Sequence, residues 1–397
     1  MSKAIISSIL DTDLYKFTMM QCVFHNFPML EVEYAFSCRN KIDLVHIKNL
    51  LVEQISLLEN LKLSLSEKKY LESLGFFQFD FLDYLESFCF NKDLVKVEVI
   101  NDDLTVKIKG NWLDTILFEV PILSIINELY FTEKTEVIVD NVRHDTLNFA
   151  RQILNGELEV FNNASSVDLK SFNFCEFGTR RRYSKQWQEE VLQRLIAKCS
   201  DNLLGTSNVY LAKKYNLKPV GTMAHEYLQA FQGLSEDIKS FQTNALEVWL
   251  DEYNGKLSIA LTDVISMDSF LKDFNLGLAD AYQGLRHDSG CPFDWGDKAI
   301  DHYLSLNINP LEKTLVFSDG LSLAKATKIF AYFKDRINIL FGIGTSLSNN
   351  TGLVPLQIVI KMISCNSHPV AKISDDEGKA MSNNPEYLSY LKDVFNY

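Results

Sequence analysis

The sequence predicts an α/β fold, in which a barrel of parallel strands and helices follows a mixed α+β N-terminal domain. Beyond about residue 140, short apolar segments alternate with longer amphipathic ones, which is typical of parallel strands joined by helices. About seven candidate strands share roughly 220 residues, which favours a barrel over an open sheet, although periodicity alone leaves closure open. Six strands or strand-like segments end in polar or glycine clusters, as the strands of barrel enzymes do.

The N-terminal region mixes helical and extended patterns. In chain order we expect a helix from Leu14 to His25, a strand from Glu31, helical stretches from Leu44 to Glu59 and Glu67 to Leu74, the hairpin DLVKVEVI-NDD-LTVKIKG, and a strand ILFEV that runs into a helix at Pro121. Alternating apolar residues on both sides of a polar turn indicate the hairpin. Proline suits the first turn of a helix because the N–H that it lacks would have no partner there.

The later region supplies the candidate barrel strands. They are FNFCEFG, KPVGTM, KLSIALTD, YQGLRHD, TLVFSDG, INILFGIG and LQIVIKMI, with helical patterns such as SKQWQEEVLQRLIAK and SLAKATKIFAYFK between most of them. We therefore expect the mixed domain over residues 1–138 and the catalytic barrel over 139–350. The strands and helix of 351–397 are expected to pack back on the N-terminal domain and to complete it.

Composition excludes several classes of protein. The formal net charge is −13, which argues against a general binder of nucleic acid or anionic membranes, since phosphate-rich partners demand a basic surface. The seven cysteines form no CxxC pair, which indicates reduced thiols and a cytoplasmic location. Neither a secretory signal nor a membrane span is expected. The absence of zinc-ligand spacing, GxGxxG, Walker and GxSxG motifs disfavours a structural zinc site, dehydrogenases, P-loop kinases and α/β-hydrolases.

Two strand-end clusters contain groups that commonly bind phosphate. In GIGTSL, backbone N–H groups and the hydroxyls of Thr345 and Ser346 suit a phosphate monoester. FSDGLS places the carboxylate of Asp319 beside a glycine at another strand end. A tight turn explains the first cluster by itself, and a turn with a helix cap explains the second, so neither is decisive alone.

Three further clusters carry cations or a histidine. Arg286 and Asp288 are two residues apart on a strand and so share one face, where they form either an anion and metal site or a simple salt bridge. The consecutive arginines Arg180–Arg182 indicate an anion site or a solvated basic face. His225, at a predicted helix start, is suited to act as a base, to accept a phosphoryl group, or to serve structure only.

Taken together and in order, these clusters resemble the nicotinate phosphoribosyltransferase family. The matching segments are DTDLYKFTMMQ, EVPILSIINELYF, EFGTRRR, GTMAHE, GLRHDSG, FSDGL and FGIGTSLSNN. They are spread over most of the chain, and residues 44–93 and the last twenty or so are least marked. Each segment is short, but seven in one order are specific.

The resemblance implies an irregular (β/α) barrel of the type II phosphoribosyltransferases joined to a mixed α+β N-terminal domain. The family reaction uses ATP hydrolysis to drive formation of nicotinate mononucleotide and pyrophosphate from nicotinate and 5-phosphoribosyl 1-pyrophosphate, in NAD salvage. Nicotinate, this phosphoribosyl donor, ATP and Mg²⁺ are therefore the implied ligands.

The same resemblance implies roles for residues near the base. His225 of GTMAHE is similar to the phosphorylated catalytic histidine, and Thr222 of that motif to a nicotinate contact. Tyr15 of DLYKFTM and Arg286 of GLRHDSG are similar to further nicotinate contacts, which Arg180 of EFGTRRR assists. Because relatives take the tyrosine from a partner subunit, we expect a homodimer with shared active sites.

Other residues are implied at the phosphoribosyl group. Thr345 and Gly344 of FGIGT are similar to contacts of its phosphate, and Ser318 and Gly320 of FSDGL to further substrate contacts. The remaining implied catalytic residues are two carboxylates that hold the Mg-pyrophosphate and the ribose, namely Asp288 and Asp319. Cys291 stands where family members often have an acidic residue, which puts a metal or pyrophosphate contact there in doubt.

Three alternatives remain. A nicotinamide phosphoribosyltransferase would share the fold, but its corresponding motif reads DFGYRG, and the extra arginines of EFGTRRR suit a carboxylate better than a carboxamide. The quinolinate enzyme is usually shorter, and the histidine of GTMAHE argues against it. A non-catalytic barrel that only binds ligands is disfavoured because every motif is intact.

Overall fold

A computed structural model describes residues 3–164, 168–376, 380 and 382–397. Its helices are α1 (Leu14–Asn26), α2 (Lys48–Leu58), α3 (Leu65–Ser73), α4 (Phe79–Ser87), α5 (Trp112–Thr115), α6 (Glu119–Thr132), α7 (Thr146–Asn162), α8 (Lys185–Cys199), α9 (Val209–Tyr215), α10 (His225–Ala230), α11 (Phe241–Tyr253), α12 (Met267–Asp273), α13 (Leu276–Ala281), α14 (Pro292–Ser305), α15 (Leu323–Phe333), α16 (Thr345–Ser348) and α17 (Pro385–Phe395). Single turns of 3-10 helix lie at Val45–Ile47, Lys92–Leu94, Ile116–Phe118, Thr179–Arg181, Ile238–Ser240 and Pro310–Glu312.

The strands form three sheets. They are β1 (Glu31–Cys38), β2 (Val95–Ile100), β3 (Asp103–Asn111), β4 (Glu136–Val139), β5 (Val142–Asp145), β6 (Phe174–Glu176), β7 (Leu203–Thr206), β8 (Lys218–Pro219), β9 (Ile259–Leu261), β10 (Gly284–His287), β11 (Thr314–Phe317), β12 (Asn338–Ile343), β13 (Ile358–Cys365) and β14 (His368–Pro369). A five-stranded antiparallel sheet has the order β14-β13-β1-β3-β2, and a seven-stranded sheet has the order β8-β7-β6-β12-β11-β10-β9. Every strand pair in the seven-stranded sheet is parallel. The strands β4 and β5 form a separate hairpin.

The seven-stranded sheet curls into an irregular barrel. Its two edge strands, β8 and β9, are neighbours in the sequence and share no ladder in the described part of the chain. The hydroxyl of Thr222, three residues after β8, donates a hydrogen bond to the carbonyl of Ile259 in β9 at 3.0 Å. The side chain of Thr222 thus links the two edge strands of the barrel where no backbone ladder of the described residues joins them. Together with the antiparallel sheet of the N-terminal region, this architecture confirms the predicted fold class.

Several N-terminal elements agree with the sequence prediction. Helix α1, strand β1 and the β2–β3 hairpin lie where the apolar patterns place them. The predicted strand ILFEV is wrong, because Ile116–Phe118 forms a helical turn that continues into α6. The segment is buried all round, and a continuous apolar run does not distinguish a buried strand from a buried helix.

Two barrel strands also differ from the prediction. LQIVIKMI is not a barrel strand; β13 pairs antiparallel with β1 in the other sheet. The seventh barrel strand is β7, which lies between α8 and α9 and was not among the candidates. At the C-terminal end, the ring of Phe395 in α17 lies 5.8 Å from that of Phe241 in α11. The domain boundaries near residues 138 and 350 stay predictions.

The most apolar helical stretch belongs to the core. By length and composition, Trp112–Thr132 is the one stretch among the described residues that would suffice to cross a membrane. However, 78% of its most apolar window is buried inside the protein. The burial of this stretch identifies it as a helix of the protein core.

Helix α1 connects the two parts of the molecule at the barrel mouth. Its residue Leu14 is fully buried and donates its backbone N–H to the carbonyl of Ser207, just after β7, at 2.8 Å. The hydroxyl of Thr18 donates to the carbonyl of Thr222 at 2.6 Å. Tyr15, in the first turn of α1, is therefore held beside the carboxyl ends of the barrel strands.

Candidate active site

A cavity of about 340 Å³ opens at the carboxyl ends of the barrel strands. All of the predicted site residues except Thr222 line it: Tyr15, Arg180, His225, Arg286, Asp288, Ser318, Asp319, Gly320, Gly344 and Thr345. Strand-end clusters that are far apart in the sequence thus meet in one place, as expected for a parallel barrel. The hydroxyl of Thr222 is used in the bond to Ile259, so that this residue joins the barrel edges beside the cavity.

His225 is the first residue of α10, and its ring is fixed by a buried carboxylate. Nε2 lies 2.8 Å from Oδ1 of Asp263, whose other oxygen accepts hydrogen bonds from Lys372 at 2.5 Å and Ser289 at 2.6 Å. Asp288 lies slightly farther away, with Oδ2 at 3.7 Å from Nε2. Burial lowers the pKa of His225, and the charge of Lys372 lowers it further, although Asp263 and Asp288 act in the opposite direction. The imidazole is therefore neutral at pH 7, with the Nε2–H directed at Asp263.

Arg286 and Asp288 share one face of β10 and its extension, as their spacing predicts. The Arg286 guanidinium donates to Oγ of Ser318 at 3.0 Å and to Asp288 at 3.4 Å. Burial alone would raise the pKa of Asp288, but Arg286 and His225 outweigh it and hold the pKa below its usual range. This one strand end therefore presents a fixed cation and a fixed anion to the cavity.

The three consecutive arginines have three different environments. Arg182 is fully buried and forms a bidentate pair with Asp11, with N–O distances of 2.7 and 3.0 Å. Arg181 donates Nε to the carbonyl of Ile358 and lines the cavity. Arg180 also lines it, with 40% of its side chain exposed and Glu119 at 3.7 Å. The alternative of a solvated basic face is wrong for Arg182, which serves structure.

The glycines after β6 and β12 allow two loops to touch. A Cβ built on Gly178 would lie 2.1 Å from Oγ of Ser348, and one on Gly344 would lie 3.0 Å from the carbonyl oxygen of Phe177. Ser348 uses this proximity to donate a hydrogen bond to the carbonyl of Gly178 at 2.9 Å. The loop with the arginines and the loop with Thr345 are therefore locked to each other at the cavity wall.

A carboxylic acid supports the arginine loop from below. Glu176, at the end of β6, is fully buried and accepts hydrogen bonds from the N–H of Gly178 at 2.6 Å and from Thr206 at 2.7 Å. Burial raises the pKa of Glu176 to about 7. This side chain fixes where the chain turns toward Arg180.

Sequence reasoning missed three cations of the cavity. Arg39 follows β1, Lys361 lies in β13, and Lys372 follows β14, so that all three come from the antiparallel sheet or its end. Burial, together with the charges of Arg39 and Lys372, lowers the pKa of Lys361 to about 7. Burial and the neighbouring Arg180 and Arg39 likewise lower the pKa of Arg181 to about 9. Repulsion among these cations indicates a wall that is suited to a polyanion.

No sequence signal marks these three residues as a group. They stand alone in apolar strands or loops, and only the pairing of β1 with β13 brings them to the barrel mouth. Exposed lysines and arginines elsewhere in the chain have the same local pattern. A tertiary prediction would have been needed to find them.

The structure also shows how Tyr15 reaches the site. It lines the same cavity as His225 and Arg286 of its own chain. The expectation that a partner subunit supplies this tyrosine therefore differs from the observed arrangement, in which α1 folds back on the barrel of the same chain. The physical reason is the set of backbone and side-chain bonds that join α1 to Ser207 and Thr222.

The chain is similar to known proteins over most of its length. The family model described as "Nicotinate phosphoribosyltransferase (NAPRTase) family" matches residues 172–397, and that of its N-terminal domain matches residues 10–127. A nicotinate phosphoribosyltransferase of Xylella fastidiosa is 45% identical over 395 residues, which cover 98% of each chain. One from Acinetobacter baumannii is 47% identical over 401 residues, covering 98% of this chain and 97% of the relative.

A solved structure has the same fold. The crystal structure of a nicotinate phosphoribosyltransferase from Vibrio cholerae superposes with a TM-score of 0.93 at 38% identity, covering 100% of this chain and 94% of the other. Its similarity extends over both the antiparallel sheet and the barrel. With the family models, the relatives and the cavity in agreement, we conclude that the chain belongs to the nicotinate phosphoribosyltransferase family.

Proposed function

We propose that the chain joins nicotinate to the ribose of 5-phosphoribosyl 1-pyrophosphate, releasing nicotinate mononucleotide and pyrophosphate, and that ATP drives the reaction through a phosphohistidine at His225. The observation that carries this proposal is that a single cavity is lined both by cations suited to anionic substrates and by a histidine suited to accept a phosphoryl group. Arg286, Arg180 and a wall of further cations face it, and so does a neutral histidine held by Asp263. The reaction would serve NAD salvage.

The transfer step needs charge placement more than a side-chain nucleophile. The ring nitrogen of nicotinate attacks C1 of the ribose, the bond from C1 to the pyrophosphate oxygen breaks, and pyrophosphate leaves with the electron pair. Because the transition state resembles an oxocarbenium ion, fixed carboxylates and cations stabilise the separating charges. We assign Asp288 and Asp319, which line the cavity, to the ribose, and Arg286, which lines it as well, to the carboxylate of the base.

Mg²⁺ fits this site through the pyrophosphate. Magnesium prefers oxygen ligands and is commonly held by one or two carboxylates together with substrate phosphates. Asp288 and Asp319 both line the cavity and offer such oxygens. Oxygens of Asp263 and Asp288 and a nitrogen of His225 also lie within 4.8 Å of one another, but Asp263 already accepts hydrogen bonds from Lys372 and Ser289. Asp288 and Asp319 would hold the ion, which would neutralise the leaving group.

The ATP step uses the other ring nitrogen of His225. Since Nε2 is bound to Asp263, the lone pair of Nδ1 is left to attack the γ-phosphorus of ATP. The N–P bond forms, the bond from the γ-phosphorus to the bridging oxygen breaks, and ADP leaves. Water later hydrolyses the phosphohistidine to phosphate. Arg182 and Lys372 take no part as counter-charges because Asp11 and Asp263 already pair with them, so that Arg180 and Arg181 remain for that role.

Labelling tests the histidine directly. Incubation with γ-labelled ATP should give an acid-labile, base-stable adduct that maps to the peptide with His225. The variant His225→Asn should remain folded, lose the label and the ATP-stimulated turnover, and keep slow transfer without ATP. Equal labelling of His225→Asn and the wild type would refute the assignment. A parallel loss of folding and of all activities would indicate a structural histidine.

We retain the homodimer and the cytoplasmic location as parts of this proposal. All seven cysteines are free, which suits a reducing compartment. We propose that each active site of this dimer takes its Tyr15 from its own chain, which is supported by the position of that residue beside the cavity of the same chain.

A further inference from the structure

The lysine that follows Tyr15 is a buried cation with no role in the steps above. Its Nζ lies 2.6 Å from Oε2 of Glu119 and 2.8 Å from Oε1 of Glu226, and its side chain has no exposed surface. Burial alone would lower the pKa of Lys16, but the two carboxylates outweigh it and raise the pKa. Lys16 is therefore a permanent charge that ties α1 to α6 and α10.

Glu119 stands between this lysine and the cavity. Its Oε2 makes the short contact with Lys16, whereas its Oε1 lies 3.7 Å from Nη1 of Arg180, beyond hydrogen-bond distance. Glu119 is the one carboxylate within 4 Å of the Arg180 guanidinium among the described residues. Glu119 therefore interacts strongly with the buried Lys16 and only weakly with Arg180 at the cavity.

We propose that Lys16 is a positioning residue for recognition of the base: by holding Glu119, it leaves the guanidinium of Arg180 available to the carboxylate of the substrate. This inference rests on the proposed function, in which Arg180 assists Arg286 in binding nicotinate. Without Lys16, Arg180 is the nearest cation left to Glu119, and arginine and a carboxylate readily form a bidentate pair. The substrate would then compete with an internal carboxylate for the same guanidinium.

The surroundings make a variant without this charge feasible. Burial raises the pKa of Glu226 to about 7, even though Lys16 acts to lower it. Glu226 can therefore take up a proton near neutral pH when the lysine is removed. Methionine has a similar unbranched shape, so Lys16→Met removes the charge with little change in packing.

Steady-state kinetics of Lys16→Met test the inference. We expect KM for nicotinate to rise about 10- to 100-fold, the range for a lost charge-assisted bond, with kcat changed by less than about threefold. The KM for nicotinamide, which carries no charge, should change little, so that selectivity for the acid falls. ATP hydrolysis in the absence of a base should persist.

Two further variants separate positioning from packing. In Lys16→Met/Glu119→Gln the neutral amide no longer captures Arg180, and most of the loss in KM should be recovered. The matched control is Lys313→Met, which removes another buried lysine, bound to the carbonyls of Asp280 and Tyr282 at the opposite end of the barrel. It should lower stability without a change in the KM for nicotinate.

The outcomes distinguish this inference from the proposed function. If Arg180→Ala leaves the KM for nicotinate unchanged, the base assignment fails and the role of Lys16 fails with it. If Arg180→Ala raises the KM but folded Lys16→Met does not, or if Glu119→Gln gives no recovery, only the role of Lys16 is overturned. Should Lys16→Met not fold, Lys16→Met/Glu226→Gln removes one charge of each sign and is measured in the same way.

Discussion

Single side chains divide the cations of this molecule into those that the protein neutralises and those that it leaves for ligands. Arg182 is paired at 2.7 Å with Asp11 and is fully buried. Arg286 is 3.4 Å from Asp288, and Arg180 is 3.7 Å from Glu119. Longer contacts at a cavity wall leave donors available for an anionic substrate, which is what binding of a carboxylate and of phosphates requires.

Replacement of Arg286 should have a large kinetic effect. Loss of a charge-assisted pair with the carboxylate of nicotinate should cost about 2–4 kcal/mol, or roughly 30- to 1000-fold in kcat/KM, for Arg286→Ala. The control is Arg143→Ala, since that arginine is 70% exposed and lies on the separate hairpin. A kcat/KM for nicotinate close to that of the wild type in Arg286→Ala would remove this residue from the base site.

The pH dependence of the ATP step should report on His225. Attack on phosphorus requires the neutral ring, and burial lowers the pKa of this histidine below its ordinary value of 6.5. The initial rate of ADP release should therefore fall as the pH drops, with a midpoint below 6.5, because protonation blocks the nucleophile. A midpoint at or above pH 6.5 for this limb would contradict the environment described for the ring.

The position of a side chain at the cavity could be predicted only where a short sequence motif contains that residue. His225, Arg286 and Asp288 lie in contiguous strand-end segments, and all three line the cavity. The different environments of Arg180 and Arg182 could not be predicted, since one residue of the sequence separates them and only the fold places Asp11 beside the second.

At the scale of elements, the start of α1 and the loop after β6 depend on one buried ion pair. Asp11 accepts two hydrogen bonds from Arg182 and a third from Asn208 at 2.9 Å, and Lys185 lies 3.1 Å away. Burial would raise the pKa of Asp11, but Arg182 and Lys185 outweigh it, so the pKa is well below its ordinary value of 3.8. This pair fixes Tyr15 and Arg180 relative to each other.

Removal of one partner should be strongly destabilising. Asp11→Asn leaves the Arg182 guanidinium buried without a counter-charge, which should lower the free energy of unfolding by about 3–5 kcal/mol in denaturant titrations. Asp83→Asn is the control, because that carboxylate is 72% exposed and the loss of its surface pair with Lys68 should change the free energy of unfolding far less.

The sign of the pH effect follows from the lowered pKa. The contribution of Asp11 is complete above about pH 4 and is lost as the pH falls toward the pKa of the folded state. The difference in stability between the wild type and Asp11→Asn should therefore shrink in acid. Equal unfolding free energies of the two proteins at pH 7 would show that the pair contributes nothing.

Elements with a strong local pattern could be predicted, and those defined by partners could not. The hairpin of β2 and β3 has alternating residues around a polar turn, and it forms at the predicted place, with Ile100 paired to Asp103 across a two-residue turn. Strand β7 has four residues, LLGT, too few for a pattern, and β13 has the apolar run of a barrel strand although its neighbours are β1 and β14. Which sheet a strand joins is decided by tertiary packing.

At the scale of the whole molecule, one chain contains a complete candidate site. The antiparallel sheet contributes Arg39 and Lys361, α1 contributes Tyr15, and the barrel contributes His225 and Arg286. The two parts of the fold are thus both needed for the cavity. Strand β13, which follows residue 350, pairs with β1 of the N-terminal sheet. In this position it forms the part of the cavity wall that faces the barrel.

Mixing of two inactive variants should test whether sites are shared. Tyr15→Ala and Asp319→Ala alter residues that line the same cavity in one chain. Hybrid dimers should therefore show no recovery of activity, because every site retains one defect or the other. Partial recovery after verified subunit exchange would mean that a partner subunit supplies Tyr15.

The central claim is that this cavity joins nicotinate to a phosphoribosyl group under the control of ATP. The most direct measurement is the initial rate of mononucleotide formation from 5-phosphoribosyl 1-pyrophosphate, with nicotinate or nicotinamide as the base, each with and without ATP. We expect transfer to nicotinate to be strongly preferred and to be stimulated by ATP, since Arg286 and Arg180 face the base and His225 faces the same cavity. Equal rates with both bases, or a rate with nicotinate that ATP does not change, would contradict this account.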